Sequence, residues 1–162
     1  MSAESYTGGR AEGERSLVTL LRAQVEEILA HARASRPEEC CGLVGERDGL
    51  GASVYRLRNI APDPRVAYDG DPQDLCEAQR VMRARGEALL GIYHSHPREA
   101  APVPSESDVR LAYHPSAIYF IVGLEENGTK EEGEDFAASL HAFRIFRSEK
   151  RWERVEYAVV ES

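Results

Sequence analysis

A short apolar run, Leu89-Leu90-Gly91-Ile92-Tyr93, leads directly into His94-Ser95-His96-Pro97. The run reads as a buried strand. Residues two apart on a strand share a face, so His94 and His96 aim both imidazoles at one point at the strand's end. Asp108 follows His96 by 12 positions and reaches the same point if the intervening loop folds back. Two imidazoles and one carboxylate form a three-ligand set. A tetrahedral zinc ion held by such a set keeps its fourth position for water, the layout of a hydrolytic rather than a structural centre.

The chain has 162 residues, a length suited to one domain with a single sizeable core. Residues 1–15 are polar and Gly-rich and are expected to form a flexible N-terminal segment, with the domain spanning 16–162. Net charge is −8, from 20 basic and 28 acidic residues, which disfavours nucleic acid as a partner. No window approaches the run of about 18 apolar residues that spans a membrane. The N-terminus also lacks the apolar core of a signal peptide, so a cytoplasmic location is expected. The cysteines are Cys40, Cys41 and Cys76. An odd number, two of them adjacent and none in a Cys-x-x-Cys pair, forms neither a disulfide framework nor a zinc ribbon.

Along the chain, Leu17, Leu20, Leu21, Val25, Ile28 and Leu29 recur at helical steps, predicting a first helix from an N-cap at Ser16 to about Ala34. Cys40–Gly45 reads as a buried strand, Asp48-Gly49 as a turn, and Ser53–Leu57 as the returning strand of a hairpin. Val66-Ala67-Tyr68 suggests a brief strand within a Pro/Asp/Gly-rich loop. A second helix starts at Asp71 or Pro72, buries Leu75, Ala78, Val81 and Met82, and ends at Gly86. A short third helix is expected over Ser105–Tyr113, then a strand over Ala117–Gly123 and a solvated loop over Glu125–Asp135. Ala142–Phe146 and Val155–Val159 read as closing antiparallel strands. Strands and helices interleaved in this way belong to an α/β fold built on a mixed sheet.

Two readings compete for Asp108. Ser105 and Asp108 stand at N-cap and N3 spacing, so Asp108 reads either as a metal ligand or as half of a capping box. The Ser105 hydroxyl suits both a cap and a donor to an oxyanion. Amide hydrolysis by water also needs a proton acceptor that later protonates the leaving amine. Glu38 and Glu39, at the mouth of the Cys40–Gly45 strand, are both candidates, and residue chemistry alone does not choose between them. His31, on the polar side of the first helix, and His114 and His141 read as ordinary surface or strand-end residues.

Three segments together, Pro37-Glu38-Glu39-Cys40-Cys41-Gly42, Gly91-Ile92-Tyr93-His94-Ser95-His96-Pro97 and Pro104-Ser105-Glu106-Ser107-Asp108, resemble the JAMM (MPN-plus) metallopeptidases. The small bacterial members that act on ubiquitin-like sulfur-carrier proteins are the most similar. The resemblance implies a single-domain fold with a curved mixed sheet flanked by helices. It implies Zn2+ as the cofactor, with His94, His96 and Asp108 as ligands, Glu39 as general acid/base and Ser105 as oxyanion donor. It also implies Cys41 as packing beside the site. The implied reaction is hydrolysis after the Gly-Gly tail of a ubiquitin-like sulfur carrier or its conjugate, releasing cysteine or a protein lysine. Such a tail is expected to lie extended beside a sheet edge. Eleven residues, Pro97–Ser107, separate His96 from Asp108, one more than in the family's common pattern, and the loop is expected to bow outward. The alternatives are a catalytically silent scaffold and a cysteine peptidase built on Cys40 or Cys41. A zinc nucleoside deaminase would need His-x-Glu and Pro-Cys-x-x-Cys segments, and the chain has neither.

Overall fold

The computed structural model describes residues 17–126 and 136–161. The expected flexible segment 1–15, the Ser16 cap and most of the expected Glu125–Asp135 loop lie outside the described residues. The order is β1 (Val18–Leu21), α1 (Arg22–Ser35), β2 (Cys41–Arg47), β3 (Leu50–Leu57), α2 (Pro72–Ala84), β4 (Ala88–His96), α3 (Glu106–Arg110), β5 (Ile118–Glu126), β6 (Phe136–Phe146), β7 (Arg151–Val155) and β8 (Tyr157–Val160). Six strands form one sheet in the order β3-β2-β4-β5-β6-β7. Every neighbouring pair is antiparallel except β4 and β5, which run parallel. Among the described residues no helix is long and apolar enough to cross a membrane.

Helices cover both faces of the sheet, which is why β5 reads as an unbroken apolar run. On one face Ile28 and Ala32 of α1 pack with Val44, Tyr93, Phe120 and Val122. On the other, Ala78 and Met82 of α2 pack on Cys41 and Leu43, and Val109 of α3 packs with Tyr119, Ile121 and Phe143. The period of two thus sorts Phe120 and Val122 from Tyr119 and Ile121. Helix α2 matches its sequence signals. Asp71 is the N-cap, its side chain accepting from the Gln73 and Asp74 N–H groups, and Ala78 and Met82 are buried.

The first helix is shorter than its sequence pattern. Val18–Leu21 is a strand that pairs in parallel with β8 to make a separate two-stranded sheet, Val18 opposite Tyr157. Val18 and Leu20 are buried and Leu17 is exposed, so a strand alternation was hidden inside the helical one. Helix α1 starts only at Arg22, where the Gln24 side chain accepts the Leu21 N–H at 3.1 Å. The same pairing takes β8 out of the expected C-terminal hairpin, leaving β7 as the partner of β6. Val66–Tyr68 forms no strand, and the loop that holds it is closed by a bridge between Asn59 and Gly70. Helix α3 ends at Arg110 rather than Tyr113, and Glu125 and Glu126 extend β5.

His31 is not a solvent-facing residue. It is half-buried, with Nδ1 2.7 Å from the Tyr93 hydroxyl. The Tyr93 ring is fully buried over Gly42, where a Cβ would stand 2.3–2.4 Å from its Cε1, Cζ and OH atoms. Gly42→Ala must therefore displace the residue next to His94. It is expected to cost about 1–3 kcal/mol, measured as a lower urea midpoint. Burial, with a smaller contribution from Arg56, lowers the His31 pKa from 6.5 to about 4. Folding therefore favours the neutral ring, and its contribution to stability is complete above pH 6.5 and is lost as the pH falls toward 4. Urea titrations between pH 7.5 and about 4.5 should show wild type losing more stability than His31→Gln over that window.

Candidate metal centre

The site stands at the C-terminal end of β4, where the chain leaves the sheet to cross to parallel β5. Strand ends at such crossovers are where open α/β sheets bind their ligands. His94 and His96 project from the same face of β4, and their Nε2 atoms lie 3.1 Å apart. Asp108, from α3 in the crossover, brings Oδ2 to 3.2 Å from His94 Nε2 and 3.0 Å from His96 Nε2. Three ligand atoms thus form a nearly equilateral triangle. A tetrahedral zinc ion with bonds of about 2.0–2.1 Å spaces its ligands by about 3.3 Å, so the donor set and its spacing fit such an ion. Glu39 lies alongside, with ligand atoms of Glu39, His94 and His96 all within 4.8 Å of one another. Glu39 is buried and Glu38 is exposed, which separates the two glutamates that residue chemistry left equivalent.

The capping and ligand readings of Asp108 hold together. The Ser105 hydroxyl accepts the Asp108 N–H at 3.0 Å, and Asp108 Oδ2 accepts the Ser105 N–H at 2.9 Å. That same Oδ2 faces the two imidazoles. An oxygen has two lone pairs, so the cap fixes the carboxylate's orientation without diverting it from the histidines. Ser105 uses a lone pair for the cap, which leaves its O–H free, and the residue is exposed beside the cleft.

Ser95 locks the opposite wall. Fully buried between the histidines, it accepts the Cys40 N–H on Oγ at 2.9 Å, while its own N–H donates to the Cys40 carbonyl at 3.1 Å. The β2–β4 register, Cys41 opposite His94, then sets Glu39 beside the ligand triangle. Glu39 is further held by donation of its N–H to the Pro64 carbonyl at 2.7 Å. Asn59 Nδ2 also donates to the Glu39 carbonyl at 2.9 Å. Ser95, Asn59 and Tyr68 are the residues that sequence reading left without a role. A serine inside an apolar strand is a signal, since a buried hydroxyl must find partners. Asn59 and Tyr68 sit in a turn-rich stretch where asparagine is commonplace.

The loop after His96 keeps Arg98–Ala101 exposed but is anchored to the sheet by its backbone and by Pro102. Pro102 is fully buried, the Glu99 carbonyl accepts the Leu124 N–H at 2.9 Å, and the Ala100 carbonyl accepts the Ser139 hydroxyl at 3.2 Å. Gly123 makes this possible, because a Cβ there would stand 2.5 Å from both the Ala100 oxygen and Pro102 Cδ. The longer loop is thus absorbed by packing on β5 and β6. The strand that carries both histidines is internal to the sheet, with β4 lying between β2 and β5. The cleft over the triangle has a volume of about 340 Å³. Its walls include Arg65–Tyr68 on one side and Pro97–Glu99, Ser105 and Ser107 on the other.

Electrostatics follow from the packing. Burial alone would raise Asp108, but hydrogen bonds from His94, His96 and the Ser105 N–H hold it well below the usual carboxylate range. Burial lowers His94 below the ordinary histidine value despite Asp108. For His96 burial acts in the same direction, but the contacts to Asp108 and Glu99 outweigh it and raise the pKa. Burial pushes Glu39 up to about 7, His96 pulling against it and Asp108 adding to it. Burial also pushes the Cys40 and Cys41 thiols up to about 11 and 12. Both are buried and neither lines the cleft, which counts against the cysteine-nucleophile alternative.

Known proteins resemble the chain in sequence and in fold. The chain is 35% identical over 119 residues to the desampylase of Haloferax volcanii, covering 68% of this chain and 85% of that protein. It is 38% identical to a probable TtuB-protein conjugate cleaving protease of Thermus thermophilus (66% and 74% covered). It is 32% identical to the CysO-cysteine peptidase of Mycobacterium tuberculosis (67% and 75%). A solution structure of a Desulfitobacterium hafniense protein superposes with a TM-score of 0.72 at 35% identity, over 90% of this chain and 94% of that one. The crystal structure of a JAB1/MPN domain protein from Archaeoglobus fulgidus shares the fold, with a TM-score of 0.55 at 19% identity and 90% and 99% covered. The family model described as prokaryotic homologs of the JAB domain matches residues 21–139. That span contains Glu39, both histidines, Ser105 and Asp108, and by it the chain belongs to the prokaryotic JAB family.

Proposed function

We propose that the chain is a zinc peptidase that hydrolyses the amide or isopeptide bond following the C-terminal glycines of a ubiquitin-like sulfur-carrier protein. The observation that carries this reading is the triangle of His94, His96 and Asp108 ligand atoms, 3.0–3.2 Å on each side, with Glu39 beside it. His94, His96 and Asp108 would hold the ion. Bound there, zinc supplies Lewis acidity toward a carbonyl oxygen and makes a water acidic enough to react at neutral pH.

The chain's own residues supply the rest. Glu39 takes the proton of the attacking water on its carboxylate and gives it to the leaving nitrogen, so that a neutral amine departs. Its burial suits a group that must hold the proton between those two events. With an ion held at the triangle, Glu39 would rest nearer its carboxylate form. The free Ser105 O–H donates to the scissile carbonyl oxygen as negative charge builds on it. The segment Arg65–Tyr68 and the loop Pro97–Glu99 form the cleft walls. The names of three relatives, a desampylase, a probable protease of TtuB-protein conjugates and a CysO-cysteine peptidase, support a carrier protein as the acyl side. A silent scaffold has no need of a complete ligand triangle with a buried glutamate beside it.

Incubating the zinc-loaded protein with carrier conjugates and weighing the products by mass spectrometry tests the reading. Cleavage after the terminal glycine, abolished by chelator and restored by zinc, is expected; conjugates that stay intact would overturn it. Glu39→Gln is expected to lower kcat by about 10²–10⁴-fold, with zinc content by elemental analysis unchanged. Ser105→Ala is expected to lower kcat by about 10²–10³-fold, while the lost cap costs only about 1 kcal/mol in urea unfolding.

A further inference from the structure

A metal-binding imidazole normally donates its second ring N–H to a carboxylate or carbonyl, which fixes the ring's orientation. His96 follows this rule, with Nδ1 3.3 Å from Glu99 Oε2. His94 does not. Its Nδ1 is buried without a hydrogen-bond partner among the described residues, although His94 is itself completely buried. What lies against the ring is Tyr68. The two rings stack with centroids 4.3 Å apart and planes inclined by 23°.

Tyr68 belongs to no regular element, so its position has to be built by other means. The segment from Asn59 to Gly70 closes on itself through the bridge between those residues and the Ile60 N–H to Asp69 carbonyl bond of 2.8 Å. One amide side chain organises its interior. Asn59 Oδ1 accepts the Ala61 and Asp69 N–H groups, each at 3.0 Å. Asn59 Nδ2 donates to the Ala67 carbonyl at 3.0 Å and to the Glu39 carbonyl at 2.9 Å. The first of these acceptors precedes Tyr68 and the second belongs to the buried glutamate. Both donors and both main acceptor sites of the amide are thereby used.

We propose that segment 59–70 is the template of the metal centre. In it Asn59 ties the backbones of Glu39 and Ala67 together and lays the Tyr68 ring flat on His94, so that stacking orients the imidazole in place of the missing hydrogen bond. Tyr68 and Asn59 are positioning residues, since neither offers a ligand atom to the triangle. The contact is made by the ring face, so phenylalanine preserves it and a branched aliphatic side chain does not. The inference rests on the proposed zinc site but not on the substrate assigned to it.

The test is zinc affinity of the full chain, read by competition with a chromophoric chelator and without substrate. Tyr68→Leu and Asn59→Ala are expected to weaken zinc binding by about 10–100-fold, and Tyr68→Phe to keep the wild-type affinity. The visible absorption of the Co2+-substituted protein should change in Tyr68→Leu and not in Tyr68→Phe. Circular dichroism of each variant separates a lost fold from a lost template, and Tyr68→Leu carries the test if Asn59→Ala fails to fold. Wild-type zinc affinity in a folded Tyr68→Leu protein overturns the proposal. A wild-type protein that binds zinc yet leaves carrier conjugates intact overturns the proposed function alone. A wild-type protein that binds no zinc overturns both.

Discussion

The parallel pairing of β4 with β5 is the constraint from which the site follows. Two parallel neighbours cannot be joined by a tight turn, so the chain must leave the sheet after His96 and travel back to start β5 opposite Gly91. That crossover contains α3, whose N-cap places Asp108 opposite the histidines. On the other flank, antiparallel β2 enters beside the same strand end and delivers Glu39. Three segments distant in sequence meet because one central strand has partners of opposite sense.

Much of this was legible because the informative residues carry local constraints. His94 and His96 share a face by strand alternation, and Ser105 with Asp108 declares a helix start in four residues. Asp71 and Pro72 likewise announce α2. What was hidden depends on partners far along the chain. Leu17–Leu21 satisfies a helical period, and only pairing with β8 makes Val18–Leu21 a strand. Tyr68 has no periodic pattern around it, and the loop that carries it is organised by hydrogen bonds between the Asn59 side chain and the backbones of Ala61, Ala67, Asp69 and Glu39. The anchoring of the 97–104 loop depends on a gap at Gly123 that no local pattern reveals.

Two carboxylates in the same site are driven to opposite behaviour by their surroundings. Asp108 faces two imidazoles and an N–H group, which stabilise its charge. Glu39 is buried with less compensation, so its charge is disfavoured. One is suited to constant ionisation and the other to gaining and losing a proton, a division of labour common to hydrolytic sites. It arises here from position in the fold, since the two side chains differ by only one methylene group.

The small β1–β8 sheet bears on how the protein is made. Its strands are the first and last elements described, and Val18 faces Tyr157. During synthesis β1 must wait without its strand partner until β8 has emerged. Contacts of such wide sequence separation form late and slowly. The six-stranded sheet can assemble as its strands appear, whereas the β1–β8 pair closes only once Tyr157–Val160 has emerged.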